Sequence, residues 1–121
     1  MRSARDRRDA YNRGRQAEGK VSLALTDSGW DILERNWMGG GGELDIVAMK
    51  EGVLRFVEVK SRSAGDSSGV ESVTVTKRRR LIRAAQAYLN DVDFEFGEVS
   101  FSIASLMGDR LVWVHNAFDC E

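Results

Sequence analysis

Residues Gly42 to Arg62 constrain this chain more than any other stretch. Gly42-Glu43-Leu44-Asp45-Ile46-Val47-Ala48-Met49 is followed by a turn at Lys50-Glu51-Gly52 and then by Val53-Leu54-Arg55-Phe56-Val57-Glu58-Val59-Lys60-Ser61-Arg62. Both halves are short, rich in Val, Ile, Leu and Phe, and separated by a glycine-containing turn, so they read as two strands. The second is apolar on both faces from Val53 to Val59, the pattern of a strand covered on both sides. Charges look out of place there. Yet Glu58 and Lys60 stand at its end, two residues apart and therefore on one face. Asp45 lies in the neighbouring strand. Two carboxylates and a lysine on the central strands of a sheet are costly to bury unless they are paired or hold a metal.

The rest of the composition sets bounds on that oddity. A chain of 121 residues has room for one core, so residues 1–121 are read as a single domain, with residues 1–8 a basic tail free to be disordered. The charged fraction of 31% and hydrophobic fraction of 42% are those of an ordinary globular protein. No apolar run approaches the roughly 20 residues of a membrane span. The basic start is not followed by an apolar segment, so it is not a secretory signal. One cysteine, Cys120, cannot form an internal disulfide, which fits a reducing cytoplasm. The net charge is −1, but residues 1–20 carry seven basic side chains against three acidic ones. Lys77, Arg78, Arg79, Arg80 and Arg83 add a second basic segment, whereas seven acids face Arg110 alone from Asp91 onward. Such a bipolar chain can steer a polyanion to one face; two solvated helix faces would give the same counts.

In order along the chain, Tyr11, Gly14, Val21 and Leu25 form a helical stripe within about Arg5 to Ser28, flanked by Ala17 and Ala24, and Gly29 ends the helix. Glu18 falls inside that apolar stripe, where a boundary residue reaching water is the plain explanation. Trp30 to Met38 reads as the first strand. Gly39-Gly40-Gly41-Gly42 is either a flexible connection or a place for close backbone approach, and no Gly-Lys-Ser/Thr follows to make it a phosphate loop. Ser61 to Ser72 is a polar loop leaving the charged end of the central strand. Thr76 is the expected N-cap of a helix from Lys77 to about Val92, with Leu81, Ala84, Ala85, Tyr88, Leu89 and Val92 on its apolar face and Gln86 beside it. Val99–Leu106 and Leu111–Val114 are the last strands, joined by a turn at Gly108-Asp109. His115, the lone histidine, has no partners for a catalytic triad. The expected order is α-β-β-β-α-β-β, an α/β fold.

Asp45 and Glu58 are joined by a tight turn and can meet across adjacent strands. Hard oxygen ligands of this kind suit Mg²⁺ or Mn²⁺ rather than zinc, and the backbone carbonyl of Val59 is a further candidate ligand. Lys60, on the Glu58 face, could hold a scissile phosphate or orient a water. This set suits metal-assisted phosphodiester hydrolysis. Arg62 at the strand end and Lys77, Arg80 and Arg83 on the second helix are the candidate phosphate contacts, with no base-reading pattern among them.

At these residues the chain resembles a family. Glu58-Val59-Lys60 after Asp45 is similar to the signature of the PD-(D/E)xK nuclease superfamily, with Leu44 where its name has proline. The resemblance is closer to the YraN-like branch, which looks like archaeal Holliday-junction resolvases. It is carried by Gly14-x-x-Ala17-Glu18, Ile32-Leu33-Glu34-Arg35-Asn36-Trp37, Gly42 through Ala48, Phe56 through Arg62, Lys77 through Leu89, and Asn116-Ala117-Phe118. It departs at Ser100-Phe101-Ser102-Ile103, where the branch tends to Arg-Phe-Asp-Val, and at Val21, where it has alanine. The resemblance implies a restriction-endonuclease-like mixed central sheet flanked by helices. It implies Asp45 and Glu58 as metal ligands, Lys60 as the catalytic lysine, and Glu18 and Gln86 reaching the same cleft from the two helices. It further implies DNA as the partner, branched or structured DNA included, and a homodimer presenting two sites; RNA stays open. The expectation is a cytoplasmic Mg²⁺- or Mn²⁺-dependent endonuclease. A non-cleaving nucleic-acid-binding module with the same fold is the alternative, and a structural partner in a larger assembly is a third reading.

Overall fold

Two apolar surfaces on the central hairpin, one per face, decide how the chain layers. The computed structural model describes the backbone of residues 4–62 and 75–115 and the side chains of residues 14–61 and 75–115. Helix α1 (Ala4–Asp27) leads into β1 (Asp31–Gly39), β2 (Gly42–Lys50) and β3 (Val53–Arg62). Helix α2 (Val75–Asp91) precedes β4 (Glu98–Met107) and β5 (Arg110–His115). The element order is the expected one. The five strands form one sheet in the order β1-β2-β3-β4-β5. Every pairing is antiparallel except β3 with β4. Parallel neighbours need a long crossover, and α2 lies within it.

β3 is the central strand and is covered twice, as its two-sided apolar pattern requires. Leu54 and Phe56 pack with Val47, Ala84, Ala85, Tyr88 and Phe101 on the α2 side. Val57 packs with Val21, Leu25, Ile46, Ala48 and Ala104 on the α1 side. Tyr88 is the keystone of the α2 layer, meeting Trp37 edge-on at 5.2 Å and Phe56 at 6.0 Å. Helix α1 ends as glycine-capped helices do: Gly29 has φ 93° and the Trp30 N–H bonds back to the Leu25 carbonyl at 3.0 Å.

Residues 4–8 belong to helix α1, in line with the helix expected from about Arg5, and residues 1–3 lie outside the described residues. Helix α2 starts at Val75, which puts Thr76 in its first turn instead of at the cap. The loop expected over Ser61–Ser72 lies outside the described residues apart from Ser61 and Arg62, which continue β3. Of the two readings of the glycine run, close backbone approach is the one found. Gly40 and Gly41, at φ 62° and 83°, make a two-residue hairpin turn between β1 and β2 that needs positive φ at both positions.

One irregularity positions everything that follows. Residues two apart in a strand share a face, yet Leu44 packs in the α2 layer while Ile46 packs in the α1 layer. The same switch is forced on β1, because Trp37 pairs with Leu44 and Arg35 with Ile46. Between them Asn36 adopts a left-handed φ of 54°. Alternation therefore breaks at the Asn36/Asp45 step, and Asp45 belongs to neither face.

Candidate metal and nucleic-acid site

The β2–β3 ladder runs from Lys50↔Val53 to Ile46↔Val57 and stops. One more step would pair Asp45 with Glu58. Instead the strands part, and Asp45 Oδ2 accepts the Val59 N–H at 2.9 Å. A strand residue aims its N–H and C=O at the same neighbour, so the Val59 carbonyl faces the same opening. Glu58 is only 7% exposed, and Asp45 is half-buried beside it.

The electrostatic consequence is large. The Asp45 carboxyl is pushed up to about 8, first by burial and then by the Glu58 charge. A hydrogen bond with Glu58 and the more distant Glu18 charge push the same way, while the Val59 N–H opposes them. Glu58 in turn has a cation at hand, with Lys77 Nζ 2.5 Å from its Oε1. The pair thus sits with a proton on one side and an ammonium on the other.

A cleft of about 670 Å³ opens in front of the pair. Thr76, Lys77 and Arg80 from the first turns of α2 form one wall, and Met38, Gly39 and Glu43 from the end of the β1–β2 hairpin form the other. The N-terminal turn of α2 thus flanks the Asp45/Glu58 edge.

The other expected residues are placed as follows. Lys60 shares the Glu58 face of β3, half-buried and level with Ser105 of β4, but it does not line the cleft. Glu18 is half-buried on α1 and close enough for its charge to act on Asp45, yet it too lies outside the cleft lining. Gln86 is exposed on α2. Nine residues beyond Lys77, it is turned about 180° around the helix and displaced by about 13 Å along it, so α2 does not bring it to the carboxylates. Arg80 lines the cleft and Arg83 is exposed one turn further on. The Arg62 side chain lies outside the described residues. His115 is remote from the cleft: its Nδ1 lies 3.0 Å from the Ser102 hydroxyl and its ring stacks on Trp113 at 5.6 Å. Burial and then the Arg55 charge lower its pKa.

Lys77 is where reasoning from sequence falls short. Its place in a basic helix marks it as a phosphate contact, whereas it neutralises Glu58; only the approach of α2 to β3 could reveal that. Among the described residues no three His, Cys, Asp or Glu side chains group as metal ligands. The donors that do converge are two carboxylates, with the Val59 carbonyl facing them. Mg²⁺ and Mn²⁺ fit this set, since Mg²⁺ commonly keeps several waters and takes one or two carboxylates plus substrate oxygens. A divalent cation would also relieve the repulsion that holds a proton on Asp45.

A mixed five-stranded sheet with a helix on each face, in the order α-β-β-β-α-β-β, defines an α/β domain. The sequence matches uncharacterised protein family UPF0102 over residues 17–114, and the chain belongs to that family, the YraN-like group. A UPF0102 protein of Synechococcus sp. (strain JA-3-3Ab) is 50% identical over 86 residues, covering 69% of this chain and 65% of the relative. One from Persephonella marina is 37% identical over 113 residues, covering 93% and 97%. One from Dechloromonas aromatica is 38% identical over 113 residues, covering 90% of each. The chain therefore spans just under two thirds of the Synechococcus relative and nearly all of the Persephonella one. Among the described residues no helix is long and apolar enough to cross a membrane.

Proposed function

We propose that this protein is a metal-dependent endonuclease that hydrolyses phosphodiester bonds in DNA, with Mg²⁺ or Mn²⁺ held by Asp45, Glu58 and the Val59 carbonyl. The observation that carries the reading is the carboxylate pair itself. It sits where two central strands part, with Glu58 buried and Asp45 half-buried and pushed up to about 8, and it opens onto a cleft walled by Lys77 and Arg80. A structural pair has no need of an open cleft in front of it; a site for a cation and a phosphate does.

Bound there, the cation would supply Lewis-acid stabilisation of the charge that develops on the phosphoryl oxygens. The chain's own groups do the rest. With a cation held there, Asp45 would be deprotonated, its proton passing to solvent, and Glu58 would face the cation beside Lys77. The Lys77 ammonium and the Arg80 guanidinium, both lining the cleft, would hold the phosphate. Lys60, next on the Glu58 face but outside the cleft lining, would have to turn toward the cleft to orient a water or steady the scissile phosphate. The helix N-terminus adds its amide dipoles to the attraction. The absence of a base-reading pattern goes with backbone contacts that tolerate any sequence, branched or structured DNA included. The lone cysteine agrees with a reducing cytoplasm, and the edge strand β5, with Leu111 and Val112 half-buried, is where two copies would pair into a homodimer.

The second reading, a module that grips nucleic acid without cutting it, is favoured by the Lys77–Glu58 ion pair and by the lack of a third acidic ligand at the centre among the described residues. One incubation separates the two. Purified protein with fluorescent duplex, single-stranded and four-way-junction DNA should give shorter products with Mn²⁺ and none with EDTA, and Asp45→Ala should abolish them. Binding without cleavage under every condition would leave only the second reading.

A further inference from the structure

The rim of the cleft carries a side chain that the carboxylate chemistry does not use. Met38 is 74% exposed, the most exposed large apolar residue among those described. It lines the same cleft as Asp45, Glu58 and Arg80. Single exposed apolar side chains are common on protein surfaces. What distinguishes Met38 is its mounting.

Its neighbour Trp37 is locked edge-on against Tyr88 in the α2 layer. On the other side, the hairpin tip rests on the backbone of α2. A Cβ at Gly40 would lie 2.5 Å from the Arg83 carbonyl oxygen, and one at Gly42 would lie 2.6 Å from that of Arg80. Nothing larger than hydrogen fits between tip and helix, so the tip is held at close-packed distance. Met38 is therefore presented to water on a rigid support, at the mouth of a cleft that also carries the cations Lys77 and Arg80. A partner that satisfies both must bring an apolar planar surface and an anion within one cleft width, and a nucleobase beside its own phosphate does so. The unbranched thioether of methionine suits contact with a ring face, and apolar side chains of this kind enter base steps and unstack them.

We propose that Met38 is a wedge that presses into the base step flanking the bound phosphate. The site then favours nucleic acid whose bases part easily over continuous duplex. This rests on the nucleic-acid reading of the cleft given above, and the test separates the two. Two short DNA duplexes are prepared with 2-aminopurine at the centre, one fully paired and one with a single-nucleotide gap opposite the probe, and both are titrated in EDTA. The parent should brighten the probe and bind the gapped duplex about tenfold more tightly than the paired one. Met38→Ser, at an exposed position that folding does not depend on, should remove the brightening and weaken binding to the gapped duplex about tenfold, with affinity for the paired duplex unchanged. Met38→Leu should retain both. A parent that binds neither duplex overturns the DNA reading and the wedge with it. A Met38→Ser protein that brightens the probe as the parent does overturns the wedge alone. So does an unchanged probe signal accompanied by disappearance of a dimer in light scattering, which would make Met38 a contact between copies.

Discussion

Asp45 and Glu58 stand so close that the metal-free protein keeps a proton on Asp45 at neutral pH, its carboxyl raised to about 8 by burial and by Glu58. In the unfolded chain an aspartate titrates near 3.9, so between about 4 and about 8 the folded state binds more protons than the unfolded one. Asp45's contribution to the stability of the metal-free protein is therefore fully present below that interval, is lost as pH rises through it, and levels off above. Asp45→Asn has nothing to titrate and should flatten the slope. Urea midpoints of parent and variant measured in EDTA across pH 4–9 check this, and parallel profiles would place the proton elsewhere. A divalent cation competes with the same proton, so metal affinity should rise over the same interval. The carboxylate pair is legible in the sequence because charges inside a two-sided apolar strand are conspicuous. Lys77 as the partner of Glu58 is not, because their meeting joins elements distant along the chain. Gln86 can be projected onto the site only by resemblance, and the turn of α2 carries it away.

At the scale of elements, the packing of the β1–β2 hairpin on α2 shapes the cleft. Gly42 has an ordinary φ, so only space excludes a side chain there, and a Cβ would meet the backbone carbonyl of Arg80 at 2.6 Å. Backbone cannot swing aside as a flexible side chain would. Gly42→Ala should destabilise the fold by about 1–3 kcal/mol, the usual cost of overpacking, and move α2 away from the hairpin. Thermal or urea unfolding measures the first effect. Weaker phosphate binding in the widened cleft would show the second, while an unchanged midpoint would mean the packing is looser than the distances imply. The helices are readable from their 3.6-residue period, and the central hairpin from its Val-, Ile-, Leu- and Phe-rich runs about a glycine turn, two-sided in β3. The glycine run leaves two readings open, and the close approach to α2 is the one found. The break of alternation at Asn36 and Asp45 has no local signal, since it exists only in the pairing of two strands. It is nevertheless what turns Asp45 out of both faces and into the site.

Across the whole molecule, the near-zero net charge of −1 hides a dipolar arrangement. Lys77, Arg78, Arg79, Arg80 and Arg83 are exposed along the first half of α2, at the cleft end. Asp91, Asp93, Glu95 and Glu98 are exposed beyond its other end, about 25 Å away for a helix of 17 residues. Asp109, which the β4–β5 turn returns toward the cleft end, is met by Lys20 at 4.0 Å. A polyanion approaching this field is drawn toward the cleft and turned away from the opposite pole, and the attraction weakens as salt screens it. Lys77 is engaged with Glu58, so Arg80 and Arg83 are the side chains expected to hold phosphate in the unliganded protein. Replacing both by alanine should weaken binding by a similar factor on every DNA sequence. It should also lower the slope of log affinity against log salt by about one unit for each phosphate that is no longer neutralised. Both residues are exposed, so the fold should not change. Fluorescence anisotropy over a salt series, with parent and double variant on two unrelated sequences, reads both effects. An unchanged slope would make these arginines a solvated helix face and shift the search for the polyanion surface to α1. A weakening confined to one sequence would instead mean that α2 reads bases, against the backbone-only binding proposed for it.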